Sequence, residues 1–173
     1  FTFTANISRN TNTAFTIKYM FEKLNIQDLT GHNKYEELTK DHPSTNGHGT
    51  TEDAVTLELL GELPTETGFT YVNFGYLEAD GSFSPVYISG EGDSTVYVYF
   101  NRNTYTGTVN YLYGAGSIHE NDQIKASTVI EGMRFGESQI VSVDPITGYT
   151  ASDNSVTVAI TEDKDFTYNV TFT

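Results

Sequence analysis

No cysteine and no tryptophan occur in the 173 residues, and proline and methionine are rare, at 4 and 2. Without thiols the chain forms no disulfide and no thiolate metal site. Basic residues are scarce as well: 9 Lys and Arg against 23 Asp and Glu give a formal net charge of -14 at pH 7. A surface of that sign repels phosphate, so no nucleic-acid partner is expected, and an anionic membrane surface is disfavoured for the same reason. No apolar run approaches the length of a bilayer span and no signal-peptide pattern is visible, so no membrane insertion is expected. The chain opens inside a strand-like alternation, as a piece excised from a longer protein would.

What is abundant points to sheets. There are 12 Tyr and 11 Phe, with many Thr and Val, the residue types that suit a pleated, half-buried surface. A hydrophobic fraction of 37% with only 18% charged residues describes a folded chain with a mild core rather than a disordered acidic tail.

An internal repeat organises the sequence. Arg9-Asn10-Thr11 recurs as Arg102-Asn103-Thr104, an offset of 102 − 9 = 93, and Thr16-x-x-Tyr19 recurs as Thr108-x-x-Tyr111, an offset of 111 − 19 = 92. Thr67-Gly68-Phe69-Thr70 resembles Thr147-Gly148-Tyr149-Thr150, each a few residues after a proline. An alternating strand precedes each linker, at 1–7 and at 95–100, and a third ends the chain at 166–172. Two tandem small modules in an elongated arrangement are expected, at 9–102 and 103–173. The first carries a polar insert at 28–53, and residues 1–8 form the closing strand of a preceding repeat or an N-terminal extension.

Alternation assigns the faces. Phe15, Ile17, Tyr19 and Phe21 should face a core, with Thr16, Lys18 and Met20 outward. Val96, Val98 and Phe100 should face inward, with Tyr97 and Tyr99 outward. Val109, Tyr111 and Tyr113, then Val156, Val158 and Ile160, and Phe166, Tyr168, Val170 and Phe172 make further inward sets. Asp80-Gly81 marks a hairpin turn. Residues 53–60 read either as a strand or as a short helix capped by Thr51 and ended by Gly61. Residues 34–40 suggest a brief helix, and 41–49, with Pro43, Gly47 and Gly49, a mobile loop.

The segments at 96–106, 108–113, 146–153 and 166–172 resemble the MucBP (Mub-type) mucin-binding repeats of Gram-positive surface proteins and the related Listeria-type B repeats. The resemblance implies a mainly β, α+β module of the β-grasp, ubiquitin-like kind. It also implies an extracellular location on a bacterial cell wall, anchored through a region outside this fragment. Its implied partner is host mucin or another glycoprotein, with immunoglobulin an alternative. It defines no catalytic residues, so no enzyme activity is expected, and the chain is expected to be monomeric.

Candidate chemistry is sparse. Outward Tyr97 and Tyr99 would offer flat rings and hydroxyls to a glycan, or shield a sheet face. Glu78, Asp80, Glu91 and Asp93 sit in two acidic turns and would supply the hard oxygen ligands that calcium takes, without EF-hand spacing; Asp163 and Asp165 are a weaker case. His32, His42 and His48 have no helical or hairpin spacing for a transition metal. Gly92-Asp93-Ser94 reads as a turn, since a serine nucleophile needs a positioned base. Lys18 faces outward, away from any buried isopeptide chemistry.

Overall fold

The computed structural model describes residues 8–173. The predicted strand at 1–7 lies outside the described residues. The chain divides into two compact units between Asn101 and Arg102. It is mainly β, and no helix among the described residues is long and apolar enough to cross a membrane.

In unit 1, β1 (Thr13–Glu22) lies parallel to β6 (Thr95–Arg102) with Tyr19 opposite Val98. Two short strands share the other edge of β1. β3 (Thr45–Gly49) pairs antiparallel with its first half and β2 (Tyr35–Glu37) with its second. β4 (Phe69–Leu77) continues the sheet beyond β6, and β5 (Phe83–Ser84) folds back on β4. The turn between them is held by Glu78 N–H donating to the Ser82 carbonyl, with Gly81 at φ +89°, as the Asp-Gly signal predicts. The alternation of β1 and β6 delivers Phe15, Ile17, Tyr19, Phe21, Val96, Val98 and Phe100 to one buried cluster with Val55, Leu60 and Ile88.

The polar stretch 28–53 differs from its predicted form. Residues 34–40 hold no α-helix: a 3-10 turn over Gly31–Lys34 leads directly into β2. The expected loop at 41–49 contains β3. Of its two glycines, Gly47 lets the strand lie close against β1, because it faces the fully buried Phe15 ring and a Cβ there would lie 2.2 Å from a ring carbon. Residues 53–60 resolve to a single helical turn, α1 (Leu57–Leu60). It is preceded by extended Thr56, not Thr51, and ended by Gly61 at φ +69°.

In unit 2, β7 (Thr104–Tyr113) is parallel to β11 (Phe166–Phe172) and antiparallel to β8 (Gln123–Arg134). A hairpin of β9 (Ser138–Ser142) and β10 (Ser155–Ala159) covers the inner face, so that Val141, Val156 and Val158 bury Val109, Tyr111, Val170 and Phe172. Tyr168, predicted inward, is 40% exposed beside the edge of the three-stranded sheet.

The ladder around the first strand is the same in both units. Tyr19 stands opposite Val98 on the parallel neighbour, and Tyr111 stands opposite Val170. Two residues earlier, Ile17 pairs with Thr45 and Val109 with Thr128. The buried Tyr19 hydroxyl lies 2.9 Å from Thr45 Oγ1, and that of Tyr111 lies 2.8 Å from Thr128 Oγ1. One step further, Phe15 pairs with Gly47 while Gly107 pairs with Ile130, so the large and small partners have changed places.

Candidate functional site

Tyr97 and Tyr99 leave β6 on the face opposite the main core, as alternation requires. The expectation that they would be exposed fails for Tyr99, whose relative exposure is 0%, and Tyr97 is half-buried. The face is occupied by a second, smaller core of Met20, Tyr35, Leu77 and Tyr99 with Phe83 and Tyr97 packed against it. Met20, predicted outward, is buried for the same reason. What closes it is the stretch that reads as a polar insert, the 3-10 turn at Gly31–Lys34 followed by β2.

The geometry is that of an aromatic cage around His32. Its ring stacks on Tyr76 at 5.3 Å between centroids and meets Tyr97 edge-on at 4.6 Å. Its Nδ1 lies 2.8 Å from the Tyr99 hydroxyl, which also accepts the Leu77 N–H at 3.1 Å. Tyr35 packs edge-on against Tyr99 at 4.9 Å and donates its own hydroxyl to Asn101 Oδ1 at 2.6 Å. Burial pushes the Tyr99 phenol up to about 12 even though the Leu77 N–H favours its ionised form. Burial raises Tyr35 too, and it lowers His32, by disfavouring the charged imidazolium. The accessible part of the cage is Tyr76, 43% exposed, with the half-buried Tyr97. Sequence reasoning missed Tyr76; the signal available was its place near the end of β4, just before the Asp80-Gly81 turn.

The acidic turns are organised locally. Asp80 Oδ1 accepts from the Ser82 amide at 2.9 Å and hydroxyl at 2.7 Å, and these bonds hold its carboxyl below the usual range. Glu78 accepts from Ser84 Oγ at 2.7 Å. Glu91 and Asp93 lie in the turn before β6, where Glu91 N–H donates to Ser89 Oγ at 3.2 Å. No group of three or more His, Asp or Glu side chains among the described residues converges on a metal position.

The three histidines of the polar stretch do not meet. His32 is in the cage, His42 lies 2.7 Å from Glu66 and stacks on Phe21, and His48 stands exposed on β3. Ser94 Oγ donates to the Tyr87 carbonyl at 3.0 Å and accepts from the Ser89 amide at 2.8 Å, a turn staple rather than an activated hydroxyl. Lys18 reaches Glu37 at 2.8 Å, and that hydrogen bond raises its pKa.

Unit 2 presents the corresponding face differently. Here Asn110 stands where unit 1 has Lys18 and Asn169 where it has Tyr97, and their side chains bond at 2.9 Å, while Thr171 takes the place of Tyr99. Ser127 Oγ donates to Asn110 at 2.7 Å, and Gln123 donates to Ser127 at 3.0 Å. Asp163 takes hydrogen bonds from Asn103 Nδ2 at 3.0 Å and from the Tyr105 hydroxyl, and Asp165 takes the Thr106 amide at 2.7 Å. These two acids therefore fasten the turn before β11 to the start of β7.

No protein-family model matches the chain, and no curated protein matches it. Among solved structures it is similar to Mub-RV at 16% identity and a TM-score of 0.29, over 92% of this chain and 97% of that one. It is similar to the type 2 repeat of the mucus binding protein MUB from Lactobacillus reuteri at 12% identity and 0.29, over 92% and 98%. Domains 3-4 of the Streptococcal High Identity Repeats in Tandem (SHIRT) of a cell surface protein align at 14% identity and 0.34, over 91% and 96%. These three solved structures are Mub repeats and streptococcal surface-protein repeats.

Proposed function

We propose that this chain is a non-enzymatic repeat segment of a bacterial cell-surface adhesin, two tandem β-grasp-like modules that hold host mucin glycoprotein through many weak contacts. The observation that carries the reading is the recurring ladder: the same parallel pair, the same antiparallel register and the same Tyr–Thr hydrogen bond at Tyr19 and Tyr111. A chain built by repetition gains affinity by repetition, since linked weak sites exceed either site alone by roughly 10²–10⁴-fold without a new contact. The net charge of -14 opposes sialylated or sulfated glycans at long range, which favours neutral sugar hydroxyls as the groups held. The test is binding of the fragment to immobilised mucin, as a monomer and displayed on a multivalent carrier, with and without a calcium chelator. Saturable, sugar-competed binding that strengthens steeply on multivalent display is the expected result.

One observation favours a second reading. The tyrosine offered by sequence as the ligand surface, Tyr99, is used to hold unit 1 together. Repeats whose aromatics are structural serve well as a stalk, each module contacting only its neighbours. Absence of mucin binding in every format would establish the stalk over the adhesin.

A further inference from the structure

The hydrogen-bond chain under the 3-10 turn has a fixed direction. The Leu77 N–H can only donate, so the Tyr99 oxygen accepts it. The phenol proton then needs an acceptor in a place with no solvent, because Tyr99 is 0% exposed. His32 Nδ1, at 2.8 Å, is that acceptor, which requires a neutral imidazole carrying its proton on Nε2. Protonating His32 puts a hydrogen on Nδ1 as well. That N–H and the Tyr99 O–H then point at each other, and turning the phenol proton away leaves it buried and unpaired.

His32 sits on the segment that closes the aromatic face. Besides that bond, the segment is held at an edge of the sheet: the Lys34 carbonyl accepts the Lys23 amide at 2.9 Å, the Asn33 carbonyl accepts Lys23 Nζ at 2.9 Å, Tyr35 packs on Tyr99 and donates to Asn101, Glu37 takes Lys18, and β2 pairs with β1 over three residues only. Gly31, at φ +51°, lies so close to the β4–β5 turn that a Cβ would be 2.5 Å from the Glu78 carbonyl oxygen. The fit is tight but narrow. A local opening of such an edge costs much less than global unfolding.

We propose that residues 30–37 are an acid-released cover, in which protonation of His32 breaks its bond to Tyr99 and uncovers the aromatic face of unit 1. The charged and titratable groups around the ring come from every neighbouring element. They are Lys18 on β1, Lys23 just after it, Lys34 on the same turn, Tyr35 and Glu37 on β2, Tyr76 and Glu78 at the end of β4, and Tyr97 and Tyr99 on β6. Glu37 favours the imidazolium, but it is already engaged by Lys18 at 2.8 Å. Burial outweighs it, and Lys23 and Lys18 act in the same sense as burial. The folded-state pKa therefore lies below the ordinary 6.5. For a histidine shifted down, the closed form is fully favoured above the unfolded value. Its advantage is lost as pH falls from there toward the folded value.

Hydrogen–deuterium exchange of the whole chain at about pH 7 and about pH 5, corrected for intrinsic rates, tests this. Amides of residues 30–37 should exchange about tenfold faster or more at the lower pH, while those of β1 and β6 stay protected. His32→Gln keeps an oxygen acceptor for Tyr99 and cannot titrate, so its corrected rates should be equal at the two pH values. No acceleration in the unaltered protein, or the same acceleration in the variant, overturns the proposal. Should the variant fail to fold, the imidazole NMR titration of the unaltered protein decides. A midpoint below the ordinary value with the Nε2–H tautomer at neutral pH supports the cover, and a midpoint at or above it, or the Nδ1–H tautomer, refutes it.

Discussion

Tyr99→Ala is expected to lower the thermal midpoint of unit 1 on the order of 15–30 °C and to leave unit 2 unchanged. Truncating a fully buried aromatic costs about 3–5 kcal/mol, and a unit of this size loses about 4–8 °C per kcal/mol. Two hydrogen bonds go with the ring, one from the Leu77 amide and one to His32. Tyr99→Phe separates the terms: the ring stays and the buried Leu77 N–H loses its acceptor, a cost of about 1–3 kcal/mol. Differential scanning calorimetry of the full chain reads both variants. A tyrosine serving only as an exposed ligand platform would show no such loss, so a midpoint unchanged in Tyr99→Ala would return Tyr99 to the surface.

The second large effect lies in the other core of unit 1. Gly47→Ala should destabilise by about 1–3 kcal/mol, because its methyl enters the space of the buried Phe15 ring, 2.2 Å from the nearest carbon. In a Phe15→Ala background the same change meets no ring. It should then cost nothing, or stabilise by about 0.5–1 kcal/mol, since alanine is more favourable than glycine in a strand. The two effects differ by a coupling of about 1–4 kcal/mol, readable in a double-mutant cycle by urea denaturation. Additive effects would mean that Phe15 and Gly47 do not face each other.

Much of this fold is legible in the sequence, and the illegible parts share a cause. The inward sets Phe15, Ile17, Tyr19, Phe21 and Val96, Val98, Phe100 are buried as alternation predicts, since one face of a strand obeys a period of two wherever one core exists. The rule misassigns Met20 and Tyr99 because unit 1 buries both faces of its sheet, and an alternating pattern announces only one. The strand at Thr45–Gly49 reads as a loop because Gly47 answers a ring 32 residues away in the chain, a tertiary reason invisible to a local window. Where Phe15 pairs with Gly47, unit 2 pairs Gly107 with Ile130, and Val158 of β10 fills the space above Gly107, 2.4 Å from where a Cβ would stand. The ladder is kept while its side chains are exchanged, which is why the two stretches match at Thr16-x-x-Tyr19 and diverge beside it. The candidate site was legible as residues but not as an environment. Tyr97 and Tyr99 are on the predicted face, and nothing local foretells that a polar segment carrying His32 lies across them.

The most direct test of the account is residue-resolved hydroxyl-radical footprinting of the tyrosines in the full chain at neutral pH. Tyr19, Tyr99 and Tyr111 should be strongly protected, and Tyr76, Tyr87 and Tyr168 should label readily. Labelling of Tyr99 at the rate of Tyr87 would contradict the second core of unit 1. Unequal protection of Tyr19 and Tyr111 would contradict the shared ladder on which the repeat reading stands.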